Sequence, residues 1–498
     1  MLIKVDNLII GAGQAGLTAG YSLLKDKNLG TVEIVESSKK YLGGISRTES
    51  KGNYRFDIGG HRFFSKSKKI NILWDEILDN GFIATNRKSR ILFKKKFFNY
   101  PLSATEALFK LGFLESFLCG ISFLKAKIFP KKNPKSFHDW VANSFGERLY
   151  KTFFKTYTEK VWGMSCDDIS ADWAAQRIKG LDLTSLILNS IKFFNTKNDK
   201  KVIKTLIKKF KYPKYGPGLM WEMAGEKIKK LNGKITMGSI AKEFIYDKSK
   251  NIWVVKCFNK IDNLTTTYEC KRIICSAALK DVVNNITPPL LSKPLADKLK
   301  YRDFITVAIM IDKRPTFDDN WIYIHDRDIN AGRIQNYTSW SSHMAPIDKG
   351  CLGLEYFCNE GEDFWNKSDE ELKEIAIDDL NKLQLLTDEK IIDTHVVRQK
   401  KAYPVYDQNY KEIVNKISNE IENNYQNLFL VGRNGMHKYN NQDHAMMSSL
   451  LTVDNIKANK KKHDIWNINV DAEYHEEKKD SDYSAMKSER EVPRSIKN

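Results

Sequence analysis

The feature that most constrains this chain is a short strand that ends in a glycine-rich turn and leads into a helix. Residues 5–10 form a short strand-like run, and Gly11-Ala12-Gly13-Gln14-Ala15-Gly16 follows directly. The first glycine permits a tight turn, the second lets backbone approach a pyrophosphate, and the third lets the helix pack against the strand. A second strand, Val32–Glu36, ends in an acid at the spacing of a ribose-binding carboxylate. The sequence therefore predicts a dinucleotide-binding unit, with phosphates at the helix N-terminus.

Two glycine pairs follow soon after the second strand, whereas a simple NAD-dependent dehydrogenase would continue with alternating strands and helices. They lie in Leu42-Gly43-Gly44-Ile45-Ser46-Arg47 and in Ile58-Gly59-Gly60-His61-Arg62-Phe63. Such pairs are typical of backbone held close to a long, flat ligand, although they also occur in plain turns. Arg47 has the fork geometry that suits a diphosphate. This region resembles the FAD-binding region of the amine oxidase and protoporphyrinogen oxidase superfamily.

The C-terminal part carries a second resemblance. A strand at 428–432 leads into Gly432-Arg433-Asn434 and then into Asn440-Asn441-Gln442-Asp443-His444-Ala445-Met446. In the superfamily, a strand ending in glycine and a helix whose N-terminus faces the flavin close the cofactor pocket. The superfamily pattern has Gly-Asp at the strand end, whereas Gly-Arg followed by a tyrosine and an aspartate is similar to the UDP-galactopyranose mutases. The resemblance implies that Arg433 pairs with the FAD diphosphate.

Three further stretches are similar to those mutases, and the matches extend to about residue 458. Gly60-His61-Arg62-Phe63 is similar to a segment whose histidine lies against the isoalloxazine, and Phe97-Phe98-Asn99-Tyr100-Pro101-Leu102 to a short aromatic-proline strand. The most specific is Tyr157-Thr158-Glu159-Lys160-Val161-Trp162-Gly163. The resemblance implies that its tryptophan lies in a uridine-binding pocket, although a buried tryptophan also serves as ordinary core.

One departure concerns the substrate diphosphate. The mutases follow this tryptophan segment with two arginines, whereas this chain keeps only Arg177 and has Gly180 or Leu181 at the second position. The diphosphate is then bound from elsewhere, or the substrate differs. The replacement candidates, each of which also has a packing or surface interpretation, are Lys179, Arg333, Arg398, Tyr403 and Tyr406.

These motifs give a set of predicted site residues without a metal ligand. His61, which tunes the flavin, and Arg177 are the predicted catalytic residues. The predicted substrate contacts are Tyr157, Trp162, Trp173, Arg177, Arg333, Arg398, Tyr403 and Tyr406. The predicted FAD contacts are Gly11, Gly13, Gln14, Ala15, Gly16, Glu36, Gly43, Gly44, Ser46, Arg47, Gly59, Gly60, His61, Gly432, Arg433, Asn441, Asp443 and Met446.

The resemblance implies an FAD-dependent mutase that interconverts the pyranose and furanose forms of a nucleotide-linked sugar for surface polysaccharide assembly. In such an enzyme FAD is bound non-covalently and works in its reduced form, with NADPH or NADH as the reductant. The alternative is an FAD-dependent oxidase or desaturase, which takes hydride from its substrate. A flavin-binding structural protein is the third class, and the number of site-like features argues against it.

We expect an α/β fold, in which an FAD-binding, Rossmann-like doubly wound domain carries an inserted helical domain and an antiparallel substrate-binding sheet. Alternating apolar and polar residues between 300 and 400 predict that sheet. The predicted FAD-binding parts are 1–101, 216–285 and 416–460. The helical domain covers 102–215, the sheet domain 286–415, and a mobile tail 461–498.

The formal net charge of +19 is spread along the chain without the aromatic interleaving of a nucleic-acid-binding motif, so we expect no nucleic-acid partner. A positive field attracts an anionic substrate. Residues 108–129 are rich in apolar side chains, and 192–214 mix lysines with aromatics. We favour a buried helix and a solvated connector for them, with a peripheral membrane-surface contact as the alternative.

Seven scattered cysteines form no CxxC pair, which predicts neither a disulfide framework nor a zinc site and favours a reducing, cytoplasmic location. The first strand begins almost at Met1, so we expect no signal peptide. No uninterrupted apolar stretch has the length of a membrane span. A homodimer is possible on this sequence.

Overall fold

The structure, a computed structural model, describes residues 1–100, 106, 110–178 and 209–468, without the side chains of residues 176–178. The side chain of Arg177, Lys179, most of the lysine-rich stretch at 192–214 and the tail from residue 469 onwards lie outside the described residues. Predictions that rest on them stay predictions.

The strands form two large sheets and two small ones. In chain order they are β1 (Leu2–Ile10), β2 (Val32–Glu36), β3 (Thr48–Lys51), β4 (Tyr54–Asp57), β5 (Phe82–Asn86), β6 (Ser89–Phe93), β7 (Lys96–Asn99), β8 (Lys209–Pro213), β9 (Lys234–Met237), β10 (Ser239–Asp247), β11 (Ile252–Asn259), β12 (Thr265–Cys275), β13 (Ile286–Thr287), β14 (Tyr301–Ile311), β15 (Trp321–Ile324), β16 (Arg333–Asn336), β17 (Gly350–Cys358), β18 (Ile391–Pro404) and β19 (Leu428–Leu430).

Helices cover the sheets and connect them. They are α1 (Gln14–Leu24), α2 (Lys68–Leu78), α3 (Phe113–Ile128), α4 (Phe137–Phe145), α5 (Glu147–Leu149), α6 (Thr156–Trp162), α7 (Ala171–Ile178), α8 (Gly218–Lys230), α9 (Leu279–Asn284), α10 (Lys293–Ala296), α11 (Tyr337–Trp340), α12 (Asp363–Asn366), α13 (Asp369–Leu383), α14 (Tyr410–Asn424), α15 (Gly432–Gly435) and α16 (Gln442–Ala458). A π-helical turn, Tyr150–Lys155, joins α5 to α6, and short 3₁₀ turns lie at Lys27–Leu29, Gly44–Ser46, Asp79–Gly81, Ser342–Met344 and Ile465–Asn467.

The first sheet has the order β13-β10-β11-β12-β1-β2-β9, and β19 pairs with the end of β12. β12, β1, β2, β9 and β19 run parallel, which is the arrangement of a dinucleotide-binding sheet. Its strands are apolar on both faces because both are covered. Ile9 and Ile34 belong to the core beneath α1 and α16, whereas Leu8 and Val35 belong to the core shared with the β10–β12 meander and α14.

The second sheet has the order β18-β14-β17-β16-β15-β6-β7. It is antiparallel except that β15 and β6 run parallel. Its edge hairpin, β6–β7, comes from the first hundred residues. The predicted domain boundaries at 101 and 286 therefore do not enclose this sheet, because part of it belongs to the segment assigned to the FAD-binding domain. One face packs against α13 through Leu372, Ala376 and Leu380. The opposite face turns toward the helices around α4 and α6 and bears the candidate site.

Together these elements confirm the predicted fold class. Sequence patterning also predicts strands at 252–257, 268–275, 304–311 and 352–357, and all four occur with small shifts at their ends. A strand predicted at 234–240 is instead divided into β9 and β10 at Gly238, whose φ is +72°. The helical domain predicted for 102–215 is wrong at its C-terminal end, because β8 pairs there with β5 and buries Phe210 and Tyr212.

Two further expectations need correction. The buried helix expected at 108–129 is not found in its described part, because α3 leaves most of its apolar side chains exposed. The tail is not mobile from residue 461, because His463, Ile465 and Ile468 are buried and Lys438 Nζ donates to the Trp466 carbonyl at 2.7 Å. Within the described ranges, no helix is long and apolar enough to cross a membrane.

Candidate functional site

The turn between β1 and α1 is built on glycines that leave no space for a side chain. Gly11 has φ +94°, and a Cβ there would lie 2.4 Å from Ser276 Oγ. A Cβ on Gly16 would lie 1.8 Å from the Gly11 carbonyl oxygen, so α1 packs directly on the turn. The first N–H groups of α1 lack partners within the helix and face the edge where parallel strands end.

A second loop lies against this turn. The Gly43 N–H donates to the Ala12 carbonyl at 2.8 Å, and a Cβ on Gly44 would lie 3.3 Å from the Gly13 Cα. The Gln14 amide donates a short hydrogen bond to Ser46 Oγ. The two glycine segments that the sequence predicts to hold one ligand are therefore neighbours and are fixed to each other.

Glu36 is buried at the end of β2. Its Oε2 accepts the Ala12 N–H at 2.6 Å, and its Oε1 accepts the Ser38 N–H at 2.7 Å. These bonds hold the carboxylate beside the glycine turn. Oε1 also accepts the Ser37 hydroxyl at 3.2 Å, so Oε2 is the oxygen that keeps a further lone pair for a ribose hydroxyl.

The C-terminal elements close the same region. The Gly432 N–H donates to Ser448 Oγ at 2.9 Å, and a Cβ on Gly432 would lie 2.9 Å from the Ala15 Cβ. Ser449 Oγ donates to the Ala15 carbonyl at 2.7 Å. The start of α15 and the helix α16 therefore contact the first turn, although more than 400 residues separate them in the sequence.

The other residues predicted at the start of α16 take different positions. Asn441 is the N-cap of α16, and Asp443 is buried and accepts a hydrogen bond from Ser65 Oγ at 2.9 Å. Met446 is fully buried, and its sulfur accepts the Trp74 indole N–H at 3.1 Å. The Met446 side chain, which was predicted to contact FAD, therefore packs in the core against Trp74.

His61 stands between the glycine loops and the second sheet, on the segment that also holds Gly59 and Gly60. Burial and then the positive charges of Arg433, Arg333 and Arg47 lower its pKa to about 3. Its Nδ1 lies 3.2 Å from the Gly59 carbonyl, an acceptor, so in the neutral ring Nδ1 carries the proton and Nε2 keeps a lone pair. This histidine is a neutral hydrogen-bonding group at physiological pH.

The three arginines around His61 differ in their partners. Arg47 pairs with Glu49 at 2.7 Å and also donates to Gln399 at 2.6 Å, which ties the first glycine pair to the second sheet. Arg433 donates to the carbonyl oxygens of Asn440 and Ala402 at 3.0 and 3.1 Å. No acidic side chain of the described residues pairs with Arg433.

Arg333 belongs to a chain of ionised and polar groups on the second sheet. It bonds to Glu355 Oε2 at 2.7 Å through Nε and donates to the Tyr403 hydroxyl at 3.1 Å. Glu355 is fully buried and also accepts a short hydrogen bond from the Gln335 amide. The Gln335 Oε1 is buried without a partner in the described part of the chain, close to Gly60.

Aromatic rings complete the site. Tyr403 and Tyr439 stack with ring centres 5.5 Å apart, and the Arg433 guanidinium lies over both rings at 5.3 and 4.9 Å. Trp162 lies 6.2 Å from Tyr403 and 5.3 Å from Trp173. The Trp162 indole N–H is buried and has no partner among the described residues. The structure thus brings Trp162, Trp173 and Tyr403 together.

Tyr157 lies one turn before this aromatic group. Its ring stacks on His325 with centres 4.8 Å apart and meets Tyr323 edge to face. Burial raises the pKa of its hydroxyl well above the usual value, so Tyr157 stays neutral.

Two predicted substrate contacts lie elsewhere. Arg398 is on the opposite face of the second sheet, beside Ile305, and donates to Asp369 and to the Lys367 carbonyl, both at 2.5 Å. This placement corrects its expected position, because a one-residue step in a strand reverses the face. Tyr406 stacks on Tyr410, and its hydroxyl accepts the Tyr439 N–H at 2.7 Å. It therefore positions Tyr439, which belongs to the aromatic group of the site.

Sequence reasoning missed two residues that shape this site. Glu355 lies in the buried run Gly-Leu-Glu-Tyr-Phe of β17, where an acid inside an apolar strand signals a charged partner. Lys160 donates to the carbonyls of Asp326 and Ile329 at 2.8 Å each, and it thereby ties α6 to the loop after β15. The feature of the sequence that could have pointed to Lys160 is its position inside the Tyr157–Trp162 motif.

Comparisons with known proteins agree with this arrangement. NAD(P)-binding Rossmann-like domains match residues 9–77. Among solved structures, reduced UDP-galactopyranose mutase superposes with a TM-score of 0.76 at 19% identity, over 91% of this chain and 96% of that chain. The chain has this mutase's fold.

Oxidases share the fold at lower similarity. A putative protoporphyrinogen oxidase from Exiguobacterium sp. 255-15 gives a TM-score of 0.69 at 14% identity over 91% of this chain and 99% of that chain. Putrescine oxidase bound to putrescine gives a TM-score of 0.60 at 14% identity, over 92% of this chain and 100% of that chain. The resemblance to the mutases and to the wider FAD superfamily, which the motifs predicted, is confirmed at the level of fold.

Proposed function

We propose that this protein is an FAD-dependent mutase that interconverts the ring forms of a nucleotide-linked sugar. The observation that carries the proposal is Arg433, a half-buried cation without an acidic partner among the described residues, beside a neutral His61 and the Trp162 cluster. A half-buried cation without a counter-ion favours an anionic ligand.

The residues present fit FAD. The turn at Gly11–Gly16 and the loop at Gly43–Gly44 present backbone to each other, and Glu36 is held next to them for a ribose. Arg47 extends from the second loop toward the second sheet. A long ligand bound along these groups reaches from the helix N-terminus to His61, which matches the extended shape of a dinucleotide.

His61 has a defined task in this arrangement. Because its pKa is about 3, it does not protonate a leaving group at neutral pH. Its Nε2 lone pair accepts a hydrogen bond, and its ring position is fixed by the Gly59 carbonyl. We propose that it orients the flavin ring rather than acting as a general acid.

The second sheet, α6 and the start of α15 together supply the substrate side. Arg433 neutralises a leaving diphosphate, and the Tyr403 hydroxyl is held by Arg333 at 3.1 Å for a further hydrogen bond. The ring and partnerless N–H of Trp162 provide a stacking face and a donor for a nucleobase. Reduced FAD, when bound, supplies the nucleophile that displaces the nucleoside diphosphate from the sugar.

An FAD-dependent oxidoreductase is the second candidate, because the putative protoporphyrinogen oxidase and putrescine oxidase share the fold. An amine substrate is disfavoured by Arg433, which lies near enough to lower the pKa of His61 and whose charge no acidic side chain of the described residues balances. A cationic substrate would enter against that field.

The test uses the purified, FAD-loaded protein reduced with dithionite and a panel of UDP-, GDP- and dTDP-hexoses, with products separated by anion-exchange chromatography. We expect one nucleotide sugar to be converted into its ring isomer without net loss of flavin reducing equivalents. We expect Arg433→Met to lower kcat/KM at least 100-fold and to retain the fold. Anaerobic bleaching of oxidised flavin by a substrate, without isomerisation by the reduced protein, would establish the oxidoreductase instead.

A further inference from the structure

Helix α3 presents an apolar face to solvent. Seven of the eighteen exposed large apolar side chains of the described residues lie on α3 or directly after it, with exposed fractions between 49% and 88%. They are Phe113, Leu114, Phe117, Ile121, Leu124, Ile128 and Phe129. From the adjacent pair Phe113 and Leu114 to Ile128 they continue at three- and four-residue spacing and form one stripe along the helix, which Phe129 follows.

The opposite face of α3 is fixed to the protein. Cys119 and Phe123 are buried, and Glu115 accepts two hydrogen bonds from Arg148, both at 2.7 Å. A Cβ on Gly146 would lie 2.7 Å from the Phe123 backbone nitrogen, so the helix packs closely against the junction of α4 and α5. The apolar stripe therefore cannot turn inward without breaking these contacts.

Lysines flank both ends of the stripe. Lys125 and Lys127 lie in the last turn of α3 and are exposed, and Lys132 follows. At the other end, Lys94 and Lys95 are exposed at the tip of the β6–β7 hairpin, and the charge of Lys94 acts on Glu115 of α3. The only acid on α3 itself, Glu115, is neutralised by Arg148.

We propose that α3 docks the protein on an anionic lipid surface, with its apolar stripe in the interface and the flanking lysines at the headgroups. The helix has 16 residues, about 24 Å, and one face is held by protein, so it lies in the interface plane. Apolar burial supplies part of the affinity and attraction to anionic headgroups the rest.

A second copy of the chain fits this face less well. The lysines around the stripe, rather than its apolar area, distinguish a lipid surface from a second copy. A two-fold contact through α3 would also bring the two sets of lysines together, and like charges at an interface are unfavourable.

Co-sedimentation with lipid vesicles tests the proposal. The full-length protein is mixed with vesicles of phosphatidylcholine alone or of phosphatidylcholine and phosphatidylglycerol at 3:1. We expect binding to the anionic vesicles that falls severalfold between 0.1 and 0.5 M NaCl, because salt screens the lysines. The double variant Phe117→Ser/Leu124→Ser should bind at least tenfold more weakly.

The matched control is Leu291→Ser/Ile347→Ser, which removes two apolar side chains that are far from α3 in sequence and even more exposed, at 92% and 85% against 58% and 60% for Phe117 and Leu124. It should bind like the unmodified chain. Equal binding by the α3 variant and the control, or no binding to anionic vesicles, would overturn the proposal. So would a lipid-free dimer in sedimentation equilibrium that only the α3 variant loses.

A label on α3 gives an independent measurement. A Cβ on Gly120 meets nothing within 4 Å, and the seven native cysteines are buried, so Gly120→Cys accepts a thiol-reactive NBD fluorophore selectively. We expect a blue shift and increased emission with anionic vesicles at low salt. Unchanged emission under conditions in which the protein sediments would place the contact elsewhere and reject α3 as the docking element.

Discussion

In the first sheet, the groups that face the candidate site are mainly backbone groups of glycine turns, whereas in the second sheet they are ionised and aromatic side chains. Gly11, Gly16 and Gly44 create a surface by having no Cβ, and Glu36 adds one carboxylate. On the second sheet, Arg333, Glu355 and Tyr403 hold one another through hydrogen bonds. The part of the site built from glycine turns, here called the backbone site, depends on local chain geometry. The part built from Arg333, Glu355 and Tyr403, the side-chain site, depends on the register of strands that are distant in sequence.

The largest effect is expected where the backbone site has no tolerance. In Gly16→Ala the new Cβ would lie 1.8 Å from a backbone oxygen, which cannot move without displacing the turn. We expect a loss of about 3 kcal/mol or more in unfolding free energy and at least a tenfold loss of bound FAD. Urea unfolding and flavin absorbance measure both.

Gly120→Ala is the matched control, because it is also a helical glycine but has open space around its Cβ. It should stabilise the protein by up to about 1 kcal/mol through helix propensity. Equal effects of the two substitutions would show that close packing at Gly16 does not govern the first region.

The second prediction addresses the side-chain network. Glu355→Gln removes the charge that balances Arg333, whose side chain is only 22% exposed, and the expected loss is about 3 kcal/mol. Glu360→Gln breaks an ion pair with Lys400 in which both side chains are more than half exposed, and it should change stability by less than about 1 kcal/mol. A denaturant midpoint for Glu355→Gln that matches this control would contradict a network role for Glu355.

The smallest expected effect concerns His61, where the two regions meet. Its pKa is about 3 in the folded protein and near 6.5 when unfolded, so the unfolded state binds more protons below pH 6.5. The contribution to stability is therefore full above pH 6.5 and is lost as the pH falls toward 3. Between pH 7 and pH 5 it amounts to about 2 kcal/mol.

The measurement compares the urea unfolding free energies of the unmodified protein and His61→Asn at pH 7 and pH 5. Other titrating groups, including the buried Asp57 with its pKa raised to about 7, act in both proteins and cancel in the difference. The unmodified protein should lose about 2 kcal/mol more than the variant. The same loss in both would mean that burial and the neighbouring arginines do not lower the pKa of His61.

The parts of the fold and of the candidate site that could be predicted from the sequence are those with local motifs. The Gly11–Gly16 turn, Glu36 and the closing glycine at 432 were identified because each needs only its own neighbours in sequence to be recognised. Arg398 was misplaced because nothing in the sequence reveals which face of β18 it occupies. Tyr406 was assigned to the site although it supports Tyr439 from behind.

Other features depended on contacts between distant segments. The partnership of Glu355 with Arg333 and Gln335 arises from adjacent positions on β16 and β17, and single-sequence patterns do not show pairing between strands. The helix α3 was expected to be buried but has an exposed face, and Ile465 and Ile468 were assigned to a mobile tail and are buried. Both expectations failed because composition alone does not tell whether an apolar stretch is covered.

The β6–β7 hairpin has a consequence for any attempt to divide this molecule. Ser89–Asn99 is encoded early in the chain, yet it forms the far edge of the later sheet through parallel pairing with Trp321–Ile324. Neither half can be excised by a single cut without leaving an unpaired edge behind. Exchanging substrate halves between relatives will therefore require moving at least two separate stretches of polypeptide at once.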